Sequence, residues 1–447
     1  MSCIHYPRVK PRSIGPSYPW LVFLFLAAAL FLTSHDPSGV QRTLDDYNRS
    51  QDEIVQGVSS GSILREIALL TLGAAAAFSL VSYSAPRRLR STGFAAYVLC
   101  AFAAWASVSA LWADDPALSM KRLVASAILC LAAVAVVRMF SLREIVMWVF
   151  FATAAFLIIS IALEIFAGAF QPWVPGYRFA GSGHPNDEGI ECGLLVLSGL
   201  AASRLDKQRL WTYRAFAGAG LVFLLLTESR TSLVATFLAV AVYFLMSGWT
   251  ASKKVILISS ILGTGLVLTL LVSGLSPVLT NALSKQRDGD ENVESFAGRT
   301  QIWQDVTEYI LLRPLTGHGY GSFWTPEHIQ EISDEEKWGV PDSHSAYIDY
   351  LLTIGAVGLM LYLACLIQGL WRSLSLTYST EGKGIPFLTG VLLFGAIDGF
   401  FESSIGEASL LMFICIIALV WLAFTPVPQT EAATTDLFYE REALAQR

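Results

Sequence analysis

Residues 145–169 read IVMWVFFATAAFLIISIALEIFAGA. A run this long and this apolar has no place on a soluble surface. Roughly 20 such residues cross a bilayer as one helix, so lipid is the solvent here. The whole chain reads the same way. Of its 447 residues, 54% are hydrophobic and only 15% charged, with a mean hydropathy of +0.54. A soluble protein of this size needs more polar surface. The net charge is −6, and no basic, aromatic-rich segment suggests a nucleic-acid partner.

Eleven further apolar runs lie at 18–33, 66–83, 93–112, 123–140, 189–203, 215–227, 233–249, 255–273, 345–368, 386–401 and 408–424. The expected fold is therefore an all-α polytopic membrane protein of about twelve transmembrane helices. Runs 215–227 and 386–401 are short for a bilayer, so their ends should sit in protein-lined cavities. The first run has no Ala-x-Ala cleavage site behind it and reads as a retained span rather than a signal peptide.

Lysine and arginine set the orientation. With the N-terminus inside, inner segments hold sixteen of them: Arg8, Lys10, Arg12, Arg87, Arg88, Arg90, Arg138, Arg143, Arg204, Lys207, Arg209, Arg214, Lys253, Lys254, Arg372 and Lys383. Short outer loops hold seven: Arg42, Arg49, Arg65, Lys121, Arg122, Arg178 and Arg230. The expected order is a cytoplasmic tail (1–17), helices one to nine (18–273), a long periplasmic loop (274–343), helices ten to twelve (344–424) and a cytoplasmic tail (425–447). Within the loop, Ile302, Trp303, Val306, Ile310 and Leu311 recur at helical spacing before the stop Arg313-Pro314. They predict an amphipathic helix over 299–313, lying on the outer face of the bundle. The six cysteines form neither a CxxC nor a Cys/His cluster, so no zinc site or disulfide framework is expected.

Ionisable groups at membrane depth face cavities, partners or substrates, and here they gather toward the outer ends of the spans. Arg178, His184 and Asn186 lie in YRFAGSGHPN (177–186), and Arg230 in ESRTS (228–232). Arg299 lies in GRTQIW (298–303), His344 in DSHSAY (342–347), and Asp398 and Glu402 end the eleventh run. Arginines converging from several helices suit an anion, because the guanidinium fork holds phosphate oxygens bidentately. A histidine among them could take a proton from an attacking hydroxyl. If His344 opens its helix, the positive end of the helix dipole should keep its ring neutral. The plain alternatives are an ion pair of Arg230 with Glu228 or Glu402, a solvated charge for Arg299, a polar helix cap for His344 and a turn residue for His184. Asp398 and Glu402 could equally be helix-packing polar groups.

His344-Ser345, nine residues and then Gly355-Ala-Val-Gly358 resembles the His-[Asn/Ser/Gln]-x9-Gly-x-x-[Gly/Thr/Tyr] signature of the O-antigen ligase and polysaccharide polymerase superfamily. GRTQIW followed by RPLTGHGYGSFW (313–324), Ser229-Arg-Thr231 and His184-Pro-Asn186 are further matches, over about 177–358. The resemblance implies a GT-C-like, metal-independent inverting glycosyltransferase without cofactor, at the periplasmic face of the bacterial inner membrane. The implied donor is undecaprenyl-diphosphate-linked oligosaccharide. The implied acceptor is a second glycan, if the protein is a polymerase, or lipid A-core, if it is a ligase. A flippase and a chain-length regulator are the implied companions. Arg230 and Arg299 would bind the diphosphate and His344 would be the general base, with Arg178, His184, Asn186, Asp398 and Glu402 accessory. Gly355 and Gly358, three apart, would face one neighbour and seat the tenth helix. The GRTxIW and LTGxGYxSFW runs look most like succinoglycan-type polymerases. A secondary transporter of an anionic solute would also explain many helices and buried arginines, but should carry an internal repeat, and none is seen.

Overall fold

A computed structural model describes residues 51–60, 63–82, 87–91, 93–181, 183–248, 296–336, 338–377, 384–403 and 409–428. The expected spans at 18–33 and 255–273, most of both tails and the first part of the long loop lie outside the described residues. What is described is mostly helical. The chain runs α1 (Gln51–Ser60), α2 (Ile63–Ser82), β1 (Arg87–Ser91), α3 (Phe94–Val108), a 3-10 turn (Ser109–Trp112), α4 (Pro116–Met139) and α5 (Leu142–Ala167). It continues through α6 (Pro185–Leu205), α7 (Leu210–Leu226), α8 (Arg230–Met246), α9 (Phe296–Leu312) and α10 (Pro326–Glu336). It ends with α11 (Ala346–Thr377), α12 (Ile385–Asp398), α13 (Leu410–Ala423) and β2 (Phe424–Pro428).

Among the described residues, four helices are long and apolar enough to cross a membrane: Phe94–Trp112, Pro116–Met139, Leu142–Ala167 and Ala346–Leu376. Local punctuation sets their ends. A reciprocal Ser141–Glu144 capping box starts α5, and Gly168 in the left-handed conformation stops it. Asp115 caps the first amides of α4, ahead of Pro116. Helix α12 has only 14 residues, about 21 Å at 1.5 Å per residue. It is enclosed rather than lipid-facing: Ile385 to Leu392, Phe394 and Gly395 are buried, against α8, α11 and α13. Helix α7 behaves differently. Only one of its faces is buried, although Thr227 at its end is fully enclosed. At the bundle end where α2 stops and α3 starts, β1 pairs antiparallel with β2, an element with no sequence signal.

The described part of the long loop, 296–336 and 338–343, is folded. Ile302 and Val306 of α9 and Ile329 and Ile332 of α10 are fully buried, forming a small second core with Ile54, Phe323, Trp324, Val340 and Leu352. Leu311, expected on the apolar stripe, is instead 70% exposed. The stripe follows Ile302–Val306, with Tyr309 and Ile310 completing it.

The glycine expectation needs correction. Gly355 does not seat an unbroken helix. It has φ +67° and ψ −175° and breaks α11. The break frees backbone groups along the helix, and the segment after α9 and Trp105 of α3 take them. Ala356 N–H donates to Pro314 O at 2.9 Å, His318 N–H donates to Leu352 O at 2.8 Å, and the Trp105 indole donates to Ile354 O at 2.9 Å. A Cβ on Gly355 would lie 2.2 Å from Leu315 O. Gly358 makes only a local approach, to Ile354.

Gly355→Ala should therefore destabilise by more than the roughly 1–2 kcal/mol of left-handed strain alone, because backbone atoms of Leu315 and Thr316 must also move. Gly218→Ala, in an open position on α7, should be neutral or stabilising by up to about 1 kcal/mol. Thermal unfolding in detergent compares the two.

Candidate active site

Arg299 lies in the first turn of α9 and is only 8% exposed. A buried charge must be paired, and Glu402 is its partner. Arg299 Nη2 lies 2.9 Å from Glu402 Oε1, and Nη1 donates to Phe401 O. The same Oε1 accepts from Asn186 Nδ2 at 2.9 Å. Asn186 Oδ1 in turn accepts from Arg178 Nη2 at 3.0 Å, and Arg178 Nε donates to Thr227 O at 3.0 Å. Arg178, Asn186, Glu402 and Arg299 thus form one continuous buried chain across four elements. The alternative of a solvated Arg299 is wrong, and Glu402 pairs with Arg299. Burial pushes the Glu402 carboxyl up, to about 8, while the adjacent Arg299 guanidinium pulls the other way.

The Ser-Arg-Thr motif meets this chain at the end of α12. Ser229 Oγ donates to Ser232 Oγ at 3.0 Å, and Ser232 Oγ donates to the fully buried Asp398 at 3.4 Å. Glu402 N–H closes a turn on Asp398 O. Arg230 is the first residue of α8, after Glu228 at φ +54°, and is exposed. Thr227, whose carbonyl Arg178 holds, begins that turn. His184 behaves as the turn reading anticipated: its Nδ1 accepts the Asn186 N–H and caps α6.

His344 stands next to Glu402 through the backbone, because Ala346 N–H donates to Gly399 O and Glu402 O. One expectation about it fails. Helix α11 starts at Ala346, so His344 is not in the first turn, and the dipole argument for a neutral ring loses its geometry. Its φ is +50°, a conformation that a non-glycine residue holds only when its surroundings impose it. The ring stacks on Trp338 with centroids 5.7 Å apart, and Nδ1 lies 3.7 Å from Asp342 Oδ1. Asp342 Oδ1 also accepts the His344 N–H at 2.7 Å.

The glycine-rich stretch LTGHGYGSFW (315–324) braces this arrangement. Gly319 has φ +96°, and a Cβ there would lie 2.5 Å from Ala113 Cα, so the strap lies directly on the start of α4. His318 Nδ1 lies 2.6 Å from Asp114 Oδ2, and Arg313 pairs with the other oxygen at 2.9 Å.

Among the described residues, four buried carboxylates, Glu164, Glu188, Glu191 and Asp349, escaped the sequence reading. Glu164 accepts the Ala180 and Gly181 N–H groups at 2.8 and 2.9 Å and the Tyr177 hydroxyl, which brackets Arg178. Glu188 accepts from Ser160 at 2.6 Å. Asp349 lies one turn into α11. The available signal was an acid inside an otherwise apolar run, Glu164 at 145–169 and Asp349 at 345–368.

Residues 215–363 match the family model described as O-Antigen ligase. That span holds Arg230, Arg299, His344 and Gly355, and leaves out Arg178, Asn186, Asp398 and Glu402. The chain is also 24% identical over 324 residues to "Exopolysaccharide production protein ExoQ" of Rhizobium meliloti (strain 1021), covering 67% of this chain and 71% of that protein. The resemblance to the O-antigen ligase and polysaccharide polymerase superfamily holds. The chain is a multi-pass membrane protein similar to proteins of polysaccharide assembly.

The Glu402 carboxyl yields a pH prediction. Its pKa is raised on folding, so its contribution to stability is complete below the ordinary carboxylate range and is lost as pH rises through about 8. The wild-type Tm in detergent should fall as pH rises from about 5 to about 8 and level off above that, and Glu402→Gln, which keeps both hydrogen bonds to Oε1, should flatten that fall. Glu402→Ala strands Arg299 and should cost about 3–5 kcal/mol.

Proposed function

We propose that this protein is a glycosyltransferase of the periplasmic face of the bacterial inner membrane. It transfers a glycan from an undecaprenyl-diphosphate carrier to an acceptor hydroxyl, and it polymerises exopolysaccharide or O-antigen repeat units. The observation that carries the reading is that the segments bearing Arg299 and His344 both attach to the 399–402 turn. Arg299 is locked to Glu402, whose backbone carbonyl accepts from Ala346, two residues after His344. A fixed cation and the backbone of the histidine segment therefore meet at one turn, from different elements.

In this reading about a dozen helices span the membrane, with 1–17 and 425–447 cytoplasmic and 274–343 periplasmic. Arg299 and Arg230 hold the donor diphosphate, one buried and one at the surface. His344 removes the proton from the acceptor hydroxyl as its oxygen attacks the anomeric carbon. The bond from that carbon to the diphosphate oxygen breaks, and the diphosphate leaves on its lipid with its new charge stabilised by the arginines. A single displacement of this kind inverts the anomeric centre and needs no covalent intermediate. Arg178 and Asn186 brace the Thr227–Arg230 turn and Glu402 respectively, while His184 and Asp398 order the ends of α6 and α12. The bilayer anchors the donor's lipid, which lowers the cost of positioning it. Flippase and chain-length regulator are the companions such a reaction would need.

Similarity to an exopolysaccharide production protein supports polymerisation. The alternative, ligation of finished glycan to lipid A-core, draws support from the description of the matching family model. Gene deletion separates them: polymerisation predicts loss of high-molecular-weight polymer, and ligation predicts loss of polymer on lipid A with polymer still made.

Arg230→Lys and Arg299→Lys should each lose most transfer activity at equal expression, since a point charge does not reproduce a bidentate fork. Transfer near the wild-type rate in both lysine variants would contradict diphosphate binding. EDTA should leave the purified enzyme active, because the arginines carry the leaving-group charge.

A further inference from the structure

Asp349 has no role in the steps above, yet its carboxylate joins three of the segments that support the site. It is 9% exposed and lies at the start of α11. Its Oδ1 accepts from the Trp324 indole at 2.9 Å and from Ser343 N–H at 3.3 Å. Its Oδ2 accepts from Ser403 Oγ at 2.5 Å. Trp324 ends the glycine-rich strap, Ser343 precedes His344, and Ser403 follows Glu402. One carboxylate therefore ties together the three segments that meet at the site.

His344 needs such a tie. Its φ of +50° is a conformation the residue does not hold unaided, and the peptide just before it is anchored from both sides. Ser343 N–H goes to Asp349, Ser343 O accepts the Trp303 indole at 2.9 Å, and Ser343 Oγ donates to Ser345 O at 2.9 Å. With three donors on two oxygens and little access to solvent, Asp349 is poorly placed to exchange a proton with substrate. It is well placed to fix where the His344 backbone sits relative to Glu402 and its arginine.

We propose that Asp349 is the positioning residue of the transfer reaction, holding His344 in its strained backbone conformation and in register with the Arg299–Glu402 pair. The inference rests on His344 acting as the base. Removing the carboxylate should relax the His344 loop while leaving the arginines in place, so turnover suffers more than donor binding. A shift of the order of 1 Å in a reacting group can lower rate by about 100-fold.

The test is a double-mutant cycle on the full-length protein in detergent or vesicles. It follows glycan transfer under single turnover, with binding of undecaprenyl-diphosphate glycan measured separately. Asp349→Ala should lower kcat by about 10- to 100-fold while changing donor affinity less than about threefold, a free-energy change of under about 0.7 kcal/mol. Asp349→Asn should recover much of the rate, because its Oδ1 still accepts from Trp324 and Ser343. In a His344→Ala background Asp349→Ala should cost nothing further. Trp324→Phe, which removes one donor without emptying the site, should show the same kcat-selective loss at smaller size. It keeps the proposal testable if Asp349→Ala does not fold. An undiminished Asp349 effect in the His344→Ala background, or equal losses in binding and turnover, would overturn the positioning role. Full transfer by His344→Ala alone would overturn the base assignment instead.

Discussion

A guanidinium enclosed in protein must have a counter-charge or a full set of acceptors, and Arg299 meets that need through Glu402 and the Phe401 carbonyl. Much of the described site follows from this one requirement. Glu402 must sit just beyond the end of α12, so that short helix is enclosed and stops at Asp398. Asn186 uses the free capacity of the same carboxylate oxygen and passes the connection to Arg178, which in turn holds the turn before Arg230. The backbone of the same 399–402 turn receives the first amide of α11 and so places the segment that carries His344.

Strain is concentrated where these segments meet. His344, Glu228 and Gly355 all have positive φ, as do three glycines of the strap. Backbone in this region persists only where surrounding contacts determine it, and here those contacts come from the buried Asp349 and Ser343, the half-buried Trp303 and the paired carboxylate of the exposed Asp114. The strap glycines are needed because the chain passes within van der Waals distance of α4 and of the broken α11, leaving no room for a Cβ. Read this way, the glycine-rich motif shapes the scaffold around the site, and the charged motifs occupy the space it defines.

Much of this was legible in the sequence. The long apolar runs located α2 to α8 and α11 to α13, since hydrophobic length is a strong signal, but missed the start of α4 by seven residues and the end of α11 by nine. The motifs also picked out Arg178, Asn186, Arg299 and Glu402, which prove to touch one another in sequence order of no obvious kind. Pairing was not legible: Arg230 was the arginine weighed for Glu402, and Arg299 holds it. The break at Gly355 was invisible because a single glycine in an apolar helix reads equally well as a packing site. Asp349 and Glu164 were lost in the hydrophobicity around them. The β1–β2 ribbon joins segments more than 300 residues apart, and nothing local in either strand announces its partner.

The most direct test of the account asks whether His344 moves a proton or only shapes the site. His344→Gln keeps a polar side chain that accepts a hydrogen bond but cannot take up the proton. Transfer from undecaprenyl-diphosphate glycan should fall by about 10²–10⁴-fold, the usual contribution of a general base, while donor binding stays at the wild-type level. A glutamine variant that retains more than about a tenth of the wild-type rate would contradict the account. It would leave His344 as an orienting hydrogen-bond partner.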